Sequence, residues 1–250
     1  MLKNTNWVVF LFISFIGNSC DDSRHRCISY TKNNIINGYD RFDTVNDIAE
    51  SVIEVMLTNK IKGHEMESFC SGVAITRTAV LTAAHCFRGR ETWRIEIRSI
   101  GMVDYTDEEG CLIRAWIPAE VSGLSQELDA AWLEISEPLL SPSTVGSPPE
   151  VGDDALIAGF GLNQDNVVGS LAFLNTRIIS ISPSAITVDS GPDAGACVGD
   201  SGGPLFYRPG EDGQYRLIGI LREGSSGCKG KDVFENIVPI REWLSMTISF

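Results

Sequence analysis

From residue 51 to residue 240 the chain alternates between short runs of apolar, β-branched residues and breaks rich in glycine and proline, with little sustained helical periodicity. This pattern predicts an all-β protein, because a half-buried strand repeats its apolar positions every second residue and a helix every three or four. The runs place strands at 51–57, 72–75, 93–97, 130–135, 155–160, 171–179, 204–207, 217–221 and 233–237, with a short C-terminal helix at 240–246. Between the two groups of strands, EPLLSPSTVGSPPEVGDD (residues 137–154) is rich in proline and has no strand pattern. Proline removes a ladder donor and fixes φ, so this segment is expected to link two β units. The chain carries no evident internal repeat and no low-complexity tract.

The first twenty residues, MLKNTNWVVFLFISFIGNSC, have a different character: a lysine, an apolar run from Trp7 to Ile16, then small and polar residues. That is the order of a secretory signal peptide, here residues 1–19, and the run is short for a bilayer span. A buried first helix is the alternative. Export implies an oxidising compartment in which cysteines pair. Of the seven cysteines, one must be left over. Cys20 stands where a signal peptide would be cut, the place at which a bacterial lipoprotein is lipidated, although Gly17 occupies a position where such motifs usually carry an aliphatic residue. Ordinary cleavage, leaving Cys20 free or cross-linked, is the other reading.

At 250 residues and 43% hydrophobic content the chain can build a sizeable core. Its formal charge of -13 speaks against a nucleic-acid partner. The acidic run DYTDEEG at 104–110 lacks the carboxylate spacing of a cation cage and reads as a solvated loop.

The chemistry concentrates in ACVGDSGGPLF, Ala196 to Phe206, where Ser201 lies among three glycines. A serine hydroxyl is a weak nucleophile until a base takes its proton. Of the three histidines, His25 lies near the N-terminus and His64 in the polar stretch GHEMES, expected to be a loop. His85 ends the β-rich run AVLTAAHC, a context that fixes a side chain in place. A third group must orient that base, and Asp129 in QELDAAWLEIS stands at the start of an apolar strand, at the edge of a core. Each residue alone has a bland explanation, a structural histidine or a turn aspartate.

Together, LTAAHC, DAAWLEI and GDSGGP, in the order His, Asp, Ser, resemble the chymotrypsin and trypsin family of serine endopeptidases. The flanks agree: IING at Ile35–Gly38 resembles the mature N-terminus, FCSG at Phe69–Gly72 the strand before the histidine, GFG at Gly159–Gly161 the usual Gly-Trp-Gly, and LNTRIIS at Leu174–Ser180 a strand of the second barrel. The resemblance implies two six-stranded antiparallel β-barrels, at about 50–136 and 155–238, with a short C-terminal helix. It makes Ser201 the nucleophile, His85 the general base and then acid, and Asp129 the residue that orients His85. The backbone N–H groups of Gly199 and Ser201 would form the oxyanion hole. It pairs Cys70 with Cys86 and Cys197 with Cys228. Cys27 and Cys111 then remain, and their pairing would tether a propeptide, residues 20–34, to the first barrel.

The resemblance further implies a zymogen. Cutting before Ile35 would free an ammonium group to pair with the carboxylate of Asp200. Asn34 precedes the cut where many relatives have a basic residue, so the activating protease is left open. The expected partners are peptide or protein substrates and that protease, acting on a monomer, with no cofactor or metal needed. A catalytically silent homologue used as a binding module is the competing class of function. In the specificity pocket, Gly195 stands where trypsin-like members carry an aspartate, Asp232 stands on the facing wall, and Gly224 leaves the mouth open. Arg222 and Glu223 replace the usual Ser-Trp of the substrate-binding strand. The pocket reading leans to cleavage after lysine or arginine, with small aliphatic and aromatic preferences as the alternatives.

Overall fold

The computed structural model describes residues 48–248, apart from 62, 91, 101–103, 107–111, 115, 137, 139, 164–166 and 210–212. Among them lie β1 (Val52–Ile61), β2 (His64–Ala74), β3 (Ala79–Ala83), β4 (Arg94–Arg98), β5 (Asp104–Thr106), β6 (Leu112–Arg114), β7 (Ile117–Ser125) and β8 (Ala130–Glu134). After the proline-rich connection come β9 (Asp154–Gly159), β10 (Ala172–Ile181), β11 (Ala185–Asp189), β12 (Pro204–Tyr207), β13 (Arg216–Glu223), β14 (Lys231–Asn236) and a helix, α1 (Ile237–Ser245). The strands close into two antiparallel six-stranded barrels, β1-β2-β3-β8-β7-β4 and β10-β11-β14-β13-β12-β9, and β5 pairs with β6 as a separate ribbon. Closure removes the exposed edges that an open sheet would carry.

Three hydrophobic cores follow from strand alternation. Ile53, Val55, Leu57, Val80 and Leu133 fill the first barrel. Ile157, Ile178, Val188, Leu205 and Phe234 fill the second. The third core lies between the barrels, where Val52, Val73, Leu81 and Trp132 of the first meet Leu156, Phe173, Phe206 and Ile220 of the second, and Ile237, Ile240 and Leu244 of α1 close the seam. Glu54, on the outer face of β1, is fully buried in the same seam. Arg98 of β4 donates from Nε to Glu54 Oε2 at 2.5 Å and from its terminal nitrogen to the carbonyl of Gly169 at 3.3 Å. Its guanidinium also stacks 4.4 Å from the Trp116 ring. A charge pair on the first barrel therefore grips a loop of the second.

Several sequence expectations change. His64 opens a strand rather than lying in a loop: it pairs with Ile61 at the far end of a long hairpin. Residues 64–67 stay exposed because the hairpin runs out past the barrel wall, and without burial the run shows no apolar alternation. Asp104–Thr106 of the acidic run forms β5, paired with β6, while the rest of that run lies outside the described residues. β3, β6, β7 and β11 likewise have no counterpart among the strands expected from the sequence. β7 presents a largely polar face, and β11 is only five residues long. The helix begins at Ile237 because the side chain of Asn236 accepts a hydrogen bond from the Val238 amide at 3.1 Å, an N-cap written into the sequence.

Candidate active site

β3 is buried along its whole length, and the chain leaves it in a 3-10 turn, Ala84–Phe87, that carries His85. A disulfide from Cys86 to Cys70 on β2, with Cα atoms 6.5 Å apart, fixes that turn to the barrel. Asp129 stands in the turn before β8 with φ +42°, a left-handed conformation that aspartate tolerates better than most residues. Its carboxylate holds His85 twice. Oδ1 accepts from the His85 backbone N–H at 2.9 Å, and Oδ2 lies 2.7 Å from Nδ1. The Ala84 N–H adds a bond to the Asp129 carbonyl at 3.0 Å. With Nδ1 engaged, Nε2 is the ring nitrogen left to exchange a proton.

Ser201 arrives from the second barrel. The Ser71 N–H of β2 donates to the Ser201 carbonyl at 2.8 Å, and Cys86 Sγ lies 4.0 Å from the same oxygen. The Ser201 loop is thus pressed against the residue that follows His85. The loop is two successive turns, closed by Asp200 N–H to Cys197 carbonyl at 3.0 Å and Gly203 N–H to Asp200 carbonyl at 2.8 Å. Each turn has a glycine with positive φ at its third position, Gly199 at +96° and Gly202 at +78°. Behind the loop, Asp200 is buried, and among the described residues its hydrogen-bond donors are two neutral amides, Gly161 N–H and Cys197 N–H, both at 2.8 Å. Burial raises its carboxyl from 3.8 to about 7; the two amides oppose the rise and the charge of Asp232 adds to it. A Cβ at Gly161 would meet Asp200 Oδ2 at 2.5 Å, so the GFG segment is glycine because this carboxylate lies against it.

The second disulfide, Cys197–Cys228, joins the Ser201 loop to the wall facing it, with Cα atoms 4.7 Å apart. Asp232 is fully buried between those walls. It accepts from Ala196 N–H at 3.1 Å on one wall and from Ser225 N–H at 3.2 Å on the other. Burial raises its pKa, the two amides lower it, and Asp189 raises it further. The walls stand close: a Cβ at Gly224 would lie 3.1 Å from the Ala196 carbonyl oxygen, and one at Gly195 would lie 2.9 Å from the Lys229 backbone. Val198, beside Gly199, is 74% exposed.

At the end of β13 a bulge displaces Arg222, so that Leu221 pairs with Phe234 and Glu223 with Val233. Arg222 bonds Glu235 at 2.9 Å. Burial raises the Glu235 pKa, the Arg222 bond and charge lower it, and the nearby charge of Asp129 raises it. An ion pair therefore flanks the carboxylate that holds His85. Ile35, Cys20, Cys27 and Cys111 lie outside the described residues.

Two barrels, with a histidine held by a carboxylate on one and a glycine-flanked serine delivered by the other, set the terms for comparison with known proteins. The trypsin family model matches residues 44–244. The chain belongs to the trypsin family. It is 27% identical to kallikrein-4 of Homo sapiens over 74% of this chain and 79% of that one. To trypsin-3 of Salmo salar it is 27% identical over 72% and 83% of the two chains, and to chymotrypsin-C of Rattus norvegicus 27% over 72% and 78%. As a trypsin-family member it is a serine endopeptidase, a hydrolase acting on peptide or protein substrates, and it has the trypsin fold.

Two features of this trypsin-like site were not visible in the sequence reading. Ser71 was noted only as part of FCSG, and Glu54 only as one position in a strand. The one available signal was the charge itself, a glutamate inside the apolar run SVIEVML.

Proposed function

We propose that this chain is a zymogen-derived endopeptidase in which Ser201, His85 and Asp129 form the catalytic triad. The observation that carries the reading is the double grip of Asp129 on His85, on the ring through Nδ1 and on the backbone amide. Held this way, His85 Nε2 takes the proton of Ser201 Oγ as the hydroxyl attacks the scissile carbonyl, and Asp129 stabilises the imidazolium that forms. The oxygen of the tetrahedral intermediate is received by the Gly199 and Ser201 amides, and His85 returns the proton to the leaving amine. Water then repeats the sequence on the acyl-enzyme. Labelling of Ser201 by a serine-directed fluorophosphonate tests the reading and its rival, a silent homologue. An active enzyme is labelled and loses its peptidase activity, whereas a chain that is never labelled, even after limited proteolysis, is not an endopeptidase of this kind.

Activation follows from Asp200. Its carboxyl is buried and raised to about 7, an environment in which a cation has a large effect on charge state. The proposed cation is the α-amine of Ile35, freed when an activating protease removes residues 20–34; N-terminal sequencing of active enzyme should begin at Ile35. Residues 1–19 act as the signal for secretion or delivery to the cell envelope. Where the mature propeptide begins with a lipidated Cys20, mass spectrometry of its N-terminal peptide shows acyl chains, and Cys20→Ser releases the protein from membranes. Cys27 and Cys111 form the third disulfide, tethering the propeptide, and the enzyme acts as a monomer without cofactor or metal.

For the specificity pocket the proposal is cleavage after lysine or arginine, with Asp232 supplying the charge. A second reading, small aliphatic side chains, is favoured by the closeness of Gly224 to Ala196 and by the two backbone bonds that already occupy Asp232. Asp232→Asn compared with the parent on matched arginine and valine substrates separates them. Selective loss on arginine supports the first, and an unchanged ratio means that Asp232 is hidden from the substrate and the preference lies elsewhere.

A further inference from the structure

Ser71 lies on β2 of the first barrel, yet its side chain is bonded to the second. It is fully buried. Its Oγ donates to the carbonyl of Gly199 at 2.9 Å and accepts from the Phe160 N–H at 2.9 Å. Its backbone N–H donates to the Ser201 carbonyl at 2.8 Å, and its own carbonyl accepts from Thr82 Oγ1 at 2.7 Å. The hydroxyl thus has its proton and one lone pair committed, in a site where a lost partner leaves a buried polar group unsatisfied.

The glycines around it have no room for a side chain: a Cβ at Gly202 would meet the Ala83 nitrogen at 2.5 Å and one at Gly203 the Ala158 carbonyl oxygen at 2.7 Å, with Ser71 close behind. A Cβ at Gly202 would lie 2.6 Å from the Ser71 carbonyl oxygen, and one at Gly203 would lie 3.1 Å from the Ser71 Cβ. The first barrel therefore enters the nucleophile loop as a template. Of its contacts, the bond to the Gly199 carbonyl matters most for chemistry. That carbonyl belongs to the peptide joining Gly199 to Asp200, in a turn whose glycine at φ +96° can change its backbone angles at low cost. Fixing one peptide plane of Gly199 restricts the rotation of the other, which carries the Gly199 N–H.

We propose that Ser71 is a positioning residue of the oxyanion hole: its hydroxyl holds the Gly199 peptide, across the barrel interface, in the orientation that aims the Gly199 amide at the reacting carbonyl oxygen. It touches no substrate. Its contribution is felt only when charge develops on that oxygen, so it acts on the transition state and not on ground-state binding. The inference rests on the reading of Ser201 as nucleophile, which fluorophosphonate labelling of the parent enzyme tests separately.

The test is Ser71→Ala in the processed enzyme, with active sites counted by complete fluorophosphonate labelling. Expected are a kcat lower by on the order of tenfold to hundredfold, a KM within about twofold, and weaker inhibition by a peptide aldehyde by the same factor as kcat, since its adduct places an oxyanion in the hole. Affinity for the matching product peptide should not change. A purely structural role would lower Tm and the labelled fraction but leave kcat per active site unaltered. Ser71→Thr, which keeps the hydroxyl, should recover most of the loss. If Ser71→Ala yields no folded protein, Ser71→Cys, which fills the site but donates poorly, serves in its place. A kcat within about twofold of the parent in the folded variant, or a loss carried by KM and product affinity, overturns the proposal.

Discussion

The buried carboxyl of Asp200 makes the stability of the uncut chain depend on pH in a direction that can be calculated. Its folded value is about 7, against 3.8 when exposed, with burial as the main cause. Between those values the folded chain keeps a proton that the unfolded chain has released. The native state then binds more protons than the unfolded one, so stability falls as pH rises, and the full loss is reached above about pH 7. A rise of this size is worth about 4 kcal/mol, at 1.36 kcal/mol for each tenfold change in proton affinity. For a domain of this size that corresponds to on the order of 8–16 °C in Tm. The experiment uses the full-length Ser201→Ala chain, which cannot cut itself, and measures urea and thermal unfolding from pH 4 to pH 8. The comparison is the same chain carrying Asp200→Asn as well. Asp232 and Glu235 are also raised by burial and contribute slopes of the same sign, but both chains keep those groups, so the difference between the chains isolates Asp200. The parent should lose stability across the window by up to about 4 kcal/mol more than the Asn variant. Equal slopes in the two chains would refute the reasoning. In the proposed cleaved form, pairing of Asp200 with the Ile35 ammonium moves this dependence to higher pH without reversing its direction. The amine's folded pKa rises above its free value near 8, and the stability it contributes is present below that value and lost as pH climbs through the raised one.

Other substitutions probe the remaining links. Ser201→Ala and His85→Ala should each remove nearly all peptidase activity while unfolding at the parent temperature, and Asp129→Asn should lower kcat by on the order of 10⁴. Gly202→Ala should destabilise by at least about 2–3 kcal/mol in urea unfolding, since it combines φ +78° with a Cβ 2.5 Å from the Ala83 nitrogen. Arg98→Met leaves the buried Glu54 carboxylate without its cation and should cost about 3–5 kcal/mol, much of it recovered when Glu54→Gln is added.

How much of this was legible in the sequence depends on whether a feature is local. The Ser201 loop announces itself because its geometry is encoded in consecutive residues: two turns, each needing a glycine at a fixed place, around one serine. Several strands of the barrel walls are readable for the same reason, since they are continuous apolar runs bounded by turn residues. His64 and the polar start of β2 were misread because that hairpin end projects beyond the barrel, where pairing persists without burial. β5 and β6, three residues each, are too short to establish any period.

The seam between the barrels was hidden for a different reason. Its key contacts, Ser71 to Gly199 and Arg98 to Gly169, join residues far apart in sequence, as does the bond of Asp129 to His85 within the first barrel. Only the last pair could be anticipated, because a serine without an oriented base is chemically inert and the sequence had to supply one. Nothing in the chemistry of hydrolysis demands a hydroxyl at position 71 or a charge pair beneath Gly169. These residues answer a mechanical need instead. A site assembled from two separately closed barrels works only when one barrel fixes the other, and close-packed, fully bonded contacts allow few alternative dockings. Ser71 and the Glu54–Arg98 pair meet that need on two sides of the nucleophile loop: one bonds to the Phe160 amide that enters the GFG segment, the other to the Gly169 carbonyl where the following loop returns. The Gly169 N–H in turn donates to the Phe160 carbonyl at 2.9 Å, so both grips act on one hairpin base, and that hairpin holds Asp200 through Gly161. The alignment of the two halves of the proposed triad is thus physically linked to the residue proposed to sense activation, through hydrogen bonds that no stretch of sequence displays.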